Sequence, residues 1–346
     1  MKPNLLIRAA LVVLICVFCS TTEAQVGLTG GKGMLRVYEA ETVTPGRLYV
    51  NPFATFFARQ NAEQTRLDKD YTLNVGLTLG ISPVIETFVH VVPYQTDTTH
   101  IWGAPGDTKL GLKLHLPRPG SVSQFGLAAY ADFPTGRTHP LPFEAYSEDA
   151  FGYAILGLVS FNFQNAIKAI PLKLSANLGY KSHNAQNGFF SGVTDQIVGG
   201  FGFKIPFQTS LIYTEVTGEY FFNNNDVQFS HNFFRITQGY KFITRPGLVF
   251  DIAVDVEVGN YQPAPEQLAH TPRVWEDYAD WKIILGMTYR NTLIKSWDRR
   301  FREAQKKEQQ EQEKREQLRE KREKVIKELE DYKKQLEEEK QREIPF

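Results

Sequence analysis

The chain has 346 residues, and its 39 basic and 39 acidic side chains give a formal net charge of zero at pH 7. Nucleic-acid-binding domains carry a basic surplus, so this balance excludes nucleic acid as an expected partner. The 26 glycines, 25 phenylalanines and 15 tyrosines are numerous. Such a composition is typical of β-barrels that have small lumen-facing residues and aromatic belts.

The N-terminal segment has the parts of a secretion signal. Lys2 and Arg8 flank an apolar stretch that continues through residues 11–18, and small residues lead to a cleavage position before Gln25. This order predicts a signal peptide over residues 1–24. An uncleaved helix that anchors the chain in a membrane fits less well, because the apolar run is shorter than the ~20 residues that a spanning helix needs. Both cysteines lie in this segment, so we expect no disulfide and no thiol chemistry in the mature chain.

Residues 25–45 separate the signal from the first predicted strand, and we predict that they form an N-terminal lead segment in the periplasm. They contain Gly30-Gly-Lys-Gly33, which superficially resembles a phosphate-binding loop. A phosphate loop has the spacing Gly-x-x-x-x-Gly-Lys-Ser/Thr after a strand, and both features are missing here. We therefore interpret these glycines as a flexible lead into the following strand.

From there on, the sequence repeats one pattern, in which runs of roughly ten residues alternate apolar with polar or small side chains. The clearest run covers residues 71–81, where apolar side chains occupy the odd positions. Alternation of this kind predicts strands with one apolar and one polar face. The twelve predicted strands cover residues 46–59, 71–82, 84–94, 107–117, 123–133, 151–164, 171–182, 195–206, 209–222, 228–243, 247–259 and 278–290.

The length of these strands favours a membrane-spanning barrel. About ten residues is what a tilted strand needs to cross a bilayer, and roughly twice the usual strand length in soluble proteins. A soluble barrel or sandwich also alternates, but with its apolar face inward. We predict an all-β fold, a closed antiparallel transmembrane β-barrel of about twelve strands over residues 46–295, in contact with the lipid of a Gram-negative outer membrane.

The predicted connections alternate in length. Those after even-numbered strands are short, such as Ser82-Pro83, and those after odd-numbered strands are mostly long and polar, such as Pro134–Ala150. Outer-membrane barrels have short periplasmic turns and longer outer loops. We therefore expect both chain ends on the periplasmic side.

The polar strand faces carry ionisable side chains that we predict to line the lumen. They are Glu86, Lys109, Lys113, Asp132, Lys173, Lys204, Glu215, Glu219, Asp251, Asp255, Glu257, Lys282 and Arg290. Strand adjacency predicts two groups, Lys204 with Glu215 and Glu219, and Asp251, Asp255 and Glu257 with Lys282 and Arg290. The pattern fits either a salt-bridge lattice that braces the interior or a wet conduit that screens solutes by charge. Twelve strands enclose less space than porins of about 16–18 strands, so loops or the segment before Gly46 would be able to plug the lumen.

Little in the sequence indicates catalysis or a metal site. The seven histidines include no His-x-x-x-His pair and no other ligand spacing. Serine and histidine adjoin at Ser182-His183 and Ser230-His231, but neighbouring residues on a strand face opposite sides, whereas a hydrolase needs both on one side. We expect no enzymatic activity, no cofactor and no metal.

After Trp297 the sequence consists almost wholly of Glu, Lys, Arg and Gln, which are strong helix formers. We predict a charged periplasmic helix over residues 296–346. Its apolar stripe, the candidate contact surface, comprises Leu318, Val325, Leu329, Tyr332 and Leu336. The stripe fits a short coiled coil, through which the helix would bind a second copy of the chain or another envelope protein. The paired charges fit a solitary helix stabilised by its own salt bridges equally well.

On these features the chain resembles the porin-like barrels of Gram-negative outer membranes, and within them the transporter-type barrels of the phenol meta-degradation pathway family. The resemblance covers residues 25–295 and includes the stretch Gly27–Gly46. The last strand matches the family pattern at Gly286 and Tyr289 and departs from it at Asn291, where an apolar residue is usual. The tail also departs from it, because a helix replaces the usual globular peptidoglycan-binding domain.

The resemblance and the charged strand faces together predict a narrow channel for passive passage of small solutes. The rival hypothesis is a structural protein whose barrel anchors the periplasmic helix. A barrel hydrolase is the third and least supported reading, since no serine–histidine arrangement with a recognisable motif is found.

Overall fold

The computed structural model describes residues 25–60, 67–95, 105–136, 151–167, 170–183, 194–207, 209–222, 232–244, 247–258 and 281–304, and single helical positions from there to 329. The predicted signal peptide lies outside these residues and stays a prediction. The chain divides into two compact units, Met1–Ile294 and Lys295–Phe346.

The first unit is a closed barrel of twelve antiparallel strands, as predicted. The strands are β1 (Arg47–Gln60), β2 (Leu67–Ser82), β3 (Ile85–Gln95), β4 (Thr108–Leu116), β5 (Ser123–Phe133), β6 (Gly152–Asn162), β7 (Lys173–His183), β8 (Thr194–Pro206), β9 (Ser210–Phe221), β10 (Phe233–Ile243), β11 (Leu248–Glu257) and β12 (Trp281–Thr292). Each strand pairs with its sequence neighbours, and β1 closes the barrel on β12, with Val50 opposite Tyr289. Closure gives each of the twelve described strands a hydrogen-bonded neighbour on both sides, as a barrel in hydrocarbon requires.

β2 begins four residues before its predicted start. Asp70 and Lys69 lie opposite Phe57 and Ala58 of β1, so the ladder of paired backbones continues beyond the alternating apolar residues. Backbone pairing needs no apolar side chains, whereas the prediction depended on them.

The two ends of the barrel differ. One, here called the turn end, carries the start of β1, the end of β12 and the short connections, such as residues 83–84 between β2 and β3. The other, the loop end, carries the long connections, such as residues 134–151 between β5 and β6.

The outer face of the barrel is apolar. On β4, Leu110, Leu112 and Leu114 are 39–47% exposed, whereas Gly111 and Lys113 between them face inward and are buried. A soluble barrel or sandwich would turn its apolar side chains inward. The exterior is therefore suited to lipid, as the strand faces predict.

Aromatic side chains cluster on the outside at the loop end. Phe56 packs against Tyr71 with ring centroids 5.2 Å apart, and Tyr153 packs against Tyr180 at 6.0 Å. Amphipathic rings favour the boundary between lipid and water. The cluster marks where the loop end would leave the bilayer.

Inward-facing aromatic rings lie over glycines of the adjacent strand. A Cβ atom on any of these glycines would overlap the ring, and the two residues of each pair lie opposite each other in the ladder. The pairs are Phe88 over Gly111, Tyr213 over Gly239 and Phe53 over Gly286. These glycines give the lumen room for large side chains at the wall.

The second unit contains the helix α1, which covers residues 295–304 and continues through the described positions to 329. Asp298 and Arg302 form an ion pair of 2.8 Å across one turn. Leu318, Val325 and Leu329 of the predicted contact stripe are more than half exposed, and Tyr332 and Leu336 lie outside the described residues. Among the described residues, no helix combines the length and apolar character needed to cross a membrane.

Candidate functional site

Residues 25–43 lie inside the barrel, and we call this segment the plug. Val26, Met34, Leu35, Val37 and Val43 are each 1% exposed, although the segment follows neither a strand nor a helix pattern. The interpretation of its glycines as a flexible lead is therefore wrong. The segment packs against the lumen wall because the wall supplies partners for its backbone.

The plug folds back on itself at Gly30 and Gly31. Both have positive φ angles, of 84° and 76°, which glycine adopts without a steric penalty. The N–H of Gly27 donates to the carbonyl of Gly31 at 3.0 Å, and the N–H of Leu28 donates to the carbonyl of Leu35 at 2.7 Å. The glycine-rich stretch thus forms a compact turn. It does not serve as an anion loop, since the N–H of Lys32 already donates to Glu86.

Glu215 of β9 holds the middle of the plug. Its carboxylate accepts hydrogen bonds from the backbone N–H groups of Leu35, Arg36 and Val37, at 3.0, 3.1 and 2.8 Å. The side chain is fully buried. Backbone donors stabilise a buried carboxylate, so the plug and Glu215 stabilise each other.

Glu86 of β3 and Lys113 of β4 form a second clamp. The Glu86 carboxylate accepts from the N–H of Lys32 at 2.8 Å and from the N–H of Val43 at 2.6 Å. Lys113 lies 2.7 Å from Glu86 and donates to the carbonyl of Lys32 at 3.0 Å. One buried ion pair therefore binds a donor and an acceptor of the same plug residue.

Lys241 of β10 and Asn177 of β7 also bind the plug backbone. Lys241 donates to the carbonyls of Val26 and Met34, at 3.2 and 2.9 Å. Asn177 accepts from the N–H of Tyr38 at 2.7 Å and donates to its carbonyl at 2.9 Å. The lumen wall thus recognises main-chain groups along much of the segment.

Glu39 and Glu41 of the plug complete the attachment through charge. Lys173 contacts Glu39 at 2.6 Å and Glu41 at 2.5 Å, and Lys204 pairs with Glu39. Burial raises the pKa of Glu39, but the positive charges of Lys173 and Lys204 outweigh it and hold that pKa well below 4.5. Burial likewise raises the pKa of Glu41, and Lys173 and Lys32 lower it to about 2. Both carboxylates are therefore ionised at neutral pH.

Apolar contacts fill the space between these polar attachments. Leu28, Met34 and Leu35 of the plug belong to one buried cluster with Phe53 and Ile284 of the wall. Tyr38 packs against Phe88, with ring centroids 5.6 Å apart, and burial raises the pKa of its hydroxyl. The turn-end half of the lumen is thus a packed core instead of a wet conduit.

The loop-end half of the lumen holds a cavity of about 220 Å³, which we call the vestibule. Its floor is the plug, with Leu28, Val37 and Tyr38, and its wall comes from the loop-end parts of the strands, as at His90 and Lys109. His90 is buried and lies 3.1 Å from Asn74 Oδ1. The vestibule is a space that the plug leaves open in the described part of the barrel.

Ion pairs occur around the vestibule. The Arg36 guanidinium of the plug forms a bidentate pair with the Asp255 carboxylate, with hydrogen bonds of 2.6 and 3.1 Å. On the wall, Lys109 lies 3.7 Å from Asp132, and its ammonium is 4.2 Å from the centre of the Tyr130 ring. Arg235 lies 3.3 Å from Glu219.

The structure brings together other partners than the two predicted groups. Lys204 pairs with Glu39 of the plug, and Glu215 and Glu219 have different partners. Asp251 pairs with Lys241 at 3.1 Å. The grouping by strand adjacency considered the wall alone, whereas residues of the plug also pair with these charges. Asp255 and Lys282 keep the predicted adjacency, as opposite residues of β11 and β12.

The remaining candidates lie nearer the ends of the barrel. Glu257 is half-buried at the loop end of β11, and Arg290 is half-buried towards the turn end of β12. Sequence reasoning missed five residues that belong to the plug, bind it or line the vestibule, namely Arg36, Glu39, Asn177, Arg235 and Lys241. The alternation of β10 could have indicated Lys241, because it lies between the outward-facing Tyr240 and Phe242 and must therefore face the lumen.

The described residues contain no group of three His, Cys, Asp or Glu side chains placed to hold a metal ion. Ser182 is buried on β7, and the side chain of His183 is outside the described part of the molecule, as are Ser230 and His231.

No protein-family model matches this sequence, and comparison with curated proteins finds no match. Among solved structures, the chain is similar to the porin NanC, with 8% identity, a TM-score of 0.48 and coverage of 69% of this chain and 98% of the porin. It is also similar to an outer-membrane channel from Pseudomonas putida F1, with 8% identity, a TM-score of 0.48 and coverage of 73% and 98%. For CymD, a monoaromatic hydrocarbon channel, the identity is 8% and the TM-score 0.37, with coverage of 72% and 89%. The likeness concerns the barrel fold alone.

Proposed function

We propose that this chain is a porin-like barrel of a Gram-negative outer membrane that allows passive passage of small solutes. The observation that carries the proposal is a vestibule lined by charged side chains inside a closed barrel whose outer face is apolar. Polar side chains around a cavity at membrane depth favour water and dissolved solutes. The turn end, with the start of β1 and the end of β12, would face the periplasm, in line with the short connections found there.

The plug limits this passage. Its buried attachments to Glu215, Glu86 and Lys241 close the turn-end half of the lumen, so solutes would pass only when it shifts. We therefore expect a low conductance with rare openings. The charges predicted to line a conduit would then have two roles, since those near the turn end hold the plug and those near the loop end face the solute.

The filled lumen also favours the second candidate function, an anchor for α1. A barrel that only anchors a helix needs a filled lumen, and in the described part of the barrel the plug packs against the wall in one buried cluster. The two functions differ in one measurable quantity, which is transport.

Planar-bilayer recordings and liposome swelling with the full-length chain test the proposal. We expect brief openings in the wild type and longer ones when Glu215→Gln weakens the plug. If neither protein conducts ions or admits a small sugar, the channel proposal fails and the anchor remains.

A further inference from the structure

The charge of the C-terminal tail is distributed unevenly along the sequence. Residues 295–307 contain six basic and two acidic side chains, so they carry a net charge of +4. The residues from 308 to 346 contain 11 basic and 13 acidic side chains, which gives a net charge of −2. The excess of positive charge is therefore confined to the first turns of α1.

The six basic side chains of these turns are exposed. They are Lys295, Arg299, Arg300, Arg302, Lys306 and Lys307. Arg302 pairs with Asp298 at 2.8 Å, and Arg299 lies 4.0 Å from Glu303. Both acidic side chains are already included in the net charge, so these ion pairs leave the excess unchanged.

The same turns have one apolar face. Trp297, Phe301 and Ala304 are spaced four and three residues apart, which places them on one side of the helix. Trp297 is 39% exposed. The same spacing rule gives the opposite side Lys295, Arg299, Arg302 and Lys306. A helix with aromatic residues on one side and Lys or Arg on the other is the type that lies at the boundary between lipid and water.

The chain reaches these turns directly from the lipid-facing wall. β12 ends at Thr292, and two residues separate it from α1. Three peptide steps span about 11 Å at most, so Lys295 lies within that distance of the end of the strand. The outward-facing Met287 and Tyr289 of β12 are exposed, and Leu293 of the connection is 56% exposed. The apolar surface that suits lipid therefore continues along the chain up to α1.

We propose that residues 295–307 bind the surface of the membrane at the turn end, with the apolar face towards the acyl chains and the basic side chains on anionic phospholipid headgroups. Each Lys or Arg close to an anionic membrane surface adds to such binding. The proposal goes beyond passage of solutes, since it applies equally to a barrel that never conducts. The rest of α1, which has a negative net charge, would leave the surface.

A fluorescent dye on the helix tests the proposal. NBD is attached to a cysteine introduced in the full-length chain as Ala304→Cys, on the apolar face, or as Glu303→Cys, outside it. Each protein is placed in phosphatidylcholine vesicles that contain a lipid with a spin label in its acyl chain, with or without about 30% phosphatidylglycerol. Quenching at position 304 should be about threefold stronger with phosphatidylglycerol, and stronger than at position 303. Salt at about 1 M should remove the difference between the vesicles, because it screens the charges. Equal quenching in both vesicles, or at both positions, would overturn the proposal.

Neutral variants then locate the charge. Arg300→Gln/Lys306→Gln/Lys307→Gln in the Ala304→Cys background should remove at least half of the additional quenching that phosphatidylglycerol causes. All substituted positions lie outside the barrel, so its folded gel mobility should be unchanged.

Lys314→Gln/Lys321→Gln/Arg322→Gln is the matched control, since it removes two lysines and one arginine from later exposed positions of α1. Quenching at position 304 should be unchanged in this variant. A loss as large as that of the first triple variant, or no loss in either, would also overturn the proposal.

Discussion

The backbone N–H of Val37 donates to Oε1 of Glu215 over 2.8 Å, although 178 residues separate the two along the chain. The same oxygen also accepts from the N–H groups of Leu35 and Arg36. A carboxylate buried inside a barrel would be costly without such donors. The relationship explains why a segment with no regular strand or helix pattern still has a fixed place in the lumen.

Glu215→Gln is expected to loosen the plug. The amide offers the N–H groups of Leu35, Arg36 and Val37 a neutral acceptor in place of a charged one, and its NH₂ group replaces Oε2, which accepts from the N–H of Arg36 at 3.1 Å. These hydrogen bonds should weaken by about 1–3 kcal/mol in total. The open probability in planar bilayers should rise about tenfold or more, because 1.4 kcal/mol corresponds to one factor of ten. Glu219→Gln is the control, since Glu219 lies on the same strand and pairs with Arg235 of the wall. Equal effects of both changes would mean that Glu215 has no special hold on the plug.

A reversible disulfide should lock the plug. A Cβ atom at position 200 would lie 2.9 Å from Cγ2 of Val37, so cysteines at both positions would fall near the Cβ separation of about 3.5–4.5 Å that disulfides need. Oxidation of Val37→Cys/Gly200→Cys should abolish openings, and reduction should restore them. The single variants are controls and should not respond to oxidant. Unchanged openings in the oxidised, cross-linked protein would show that solutes pass without movement of the plug.

The barrel could be predicted from the sequence because its information is local. Each strand alternates within about ten residues and pairs with its sequence neighbours, so the faces of β4 and β12 follow from their own residues. The length of the connections, also a local property, distinguishes the two ends of the barrel.

The sequence predicted that the segment before Gly46 would be able to plug the lumen, but the contacts of the plug could not be predicted in this way. Arg36 meets Asp255 across 219 positions, and Lys241 meets Val26 across 215, so no local pattern relates them. The plug is also recognised mainly through its backbone, as by Asn177, and every residue type carries the same backbone groups. The sequence therefore indicates charges on the inward strand faces and gives no information on their partners in the plug.

Lys241 and Asp251 form a buried pair whose separation should be costly. They lie 3.1 Å apart, with 2% and 3% of their side chains exposed, and the Tyr213 hydroxyl donates to Asp251 at 2.9 Å. Lys241→Met leaves the Asp251 charge without its cation and should lower stability by about 3–5 kcal/mol. The double variant with Asp251→Asn should recover part of this loss, as measured by the temperature at which the barrel loses its folded gel mobility. A double variant that is less stable by the sum of both single effects would show that the pair is not coupled.

Neutralising both Asp251 and Asp255 should raise conductance as well as change its selectivity. Asp255→Asn removes the partner of Arg36, and Asp251→Asn removes that of Lys241, so two attachments of the plug weaken. Loss of two negative charges should also move the reversal potential in a salt gradient towards anions. A shift in selectivity with unchanged open probability would mean that these pairs do not hold the plug.

We expect the stripe on α1 to make weak contacts with a second copy or with another envelope protein. Val325 and Leu329 are 53% and 56% exposed and are the apolar positions of the stripe best placed for a test. Cysteines there should cross-link more than a cysteine at the charged position Lys321. Equal cross-linking at all three positions would indicate a solitary helix. Barrel folding should survive removal of residues 296–346.

The ion pairs of Glu41 should make the plug sensitive to acid. Lys173, Lys32 and Glu39 surround Glu41, and its pKa is about 2 in place of 4.5. When the plug leaves the lumen, Glu41 regains its ordinary pKa, so protonation favours the displaced plug. The stabilisation by Glu41 is complete above pH 4.5 and is lost as the pH falls from there through about 2.

Glu41→Gln isolates this contribution, because Lys173 keeps Glu39 as a partner in the variant. At neutral pH the variant should open more often than the wild type, and the difference should stay constant down to about pH 5. Below that pH the two proteins should converge as the wild-type carboxylate is protonated. A difference that persists at pH 2, or one that is absent at pH 7, would show that the ionised form of Glu41 does not hold the plug in the lumen.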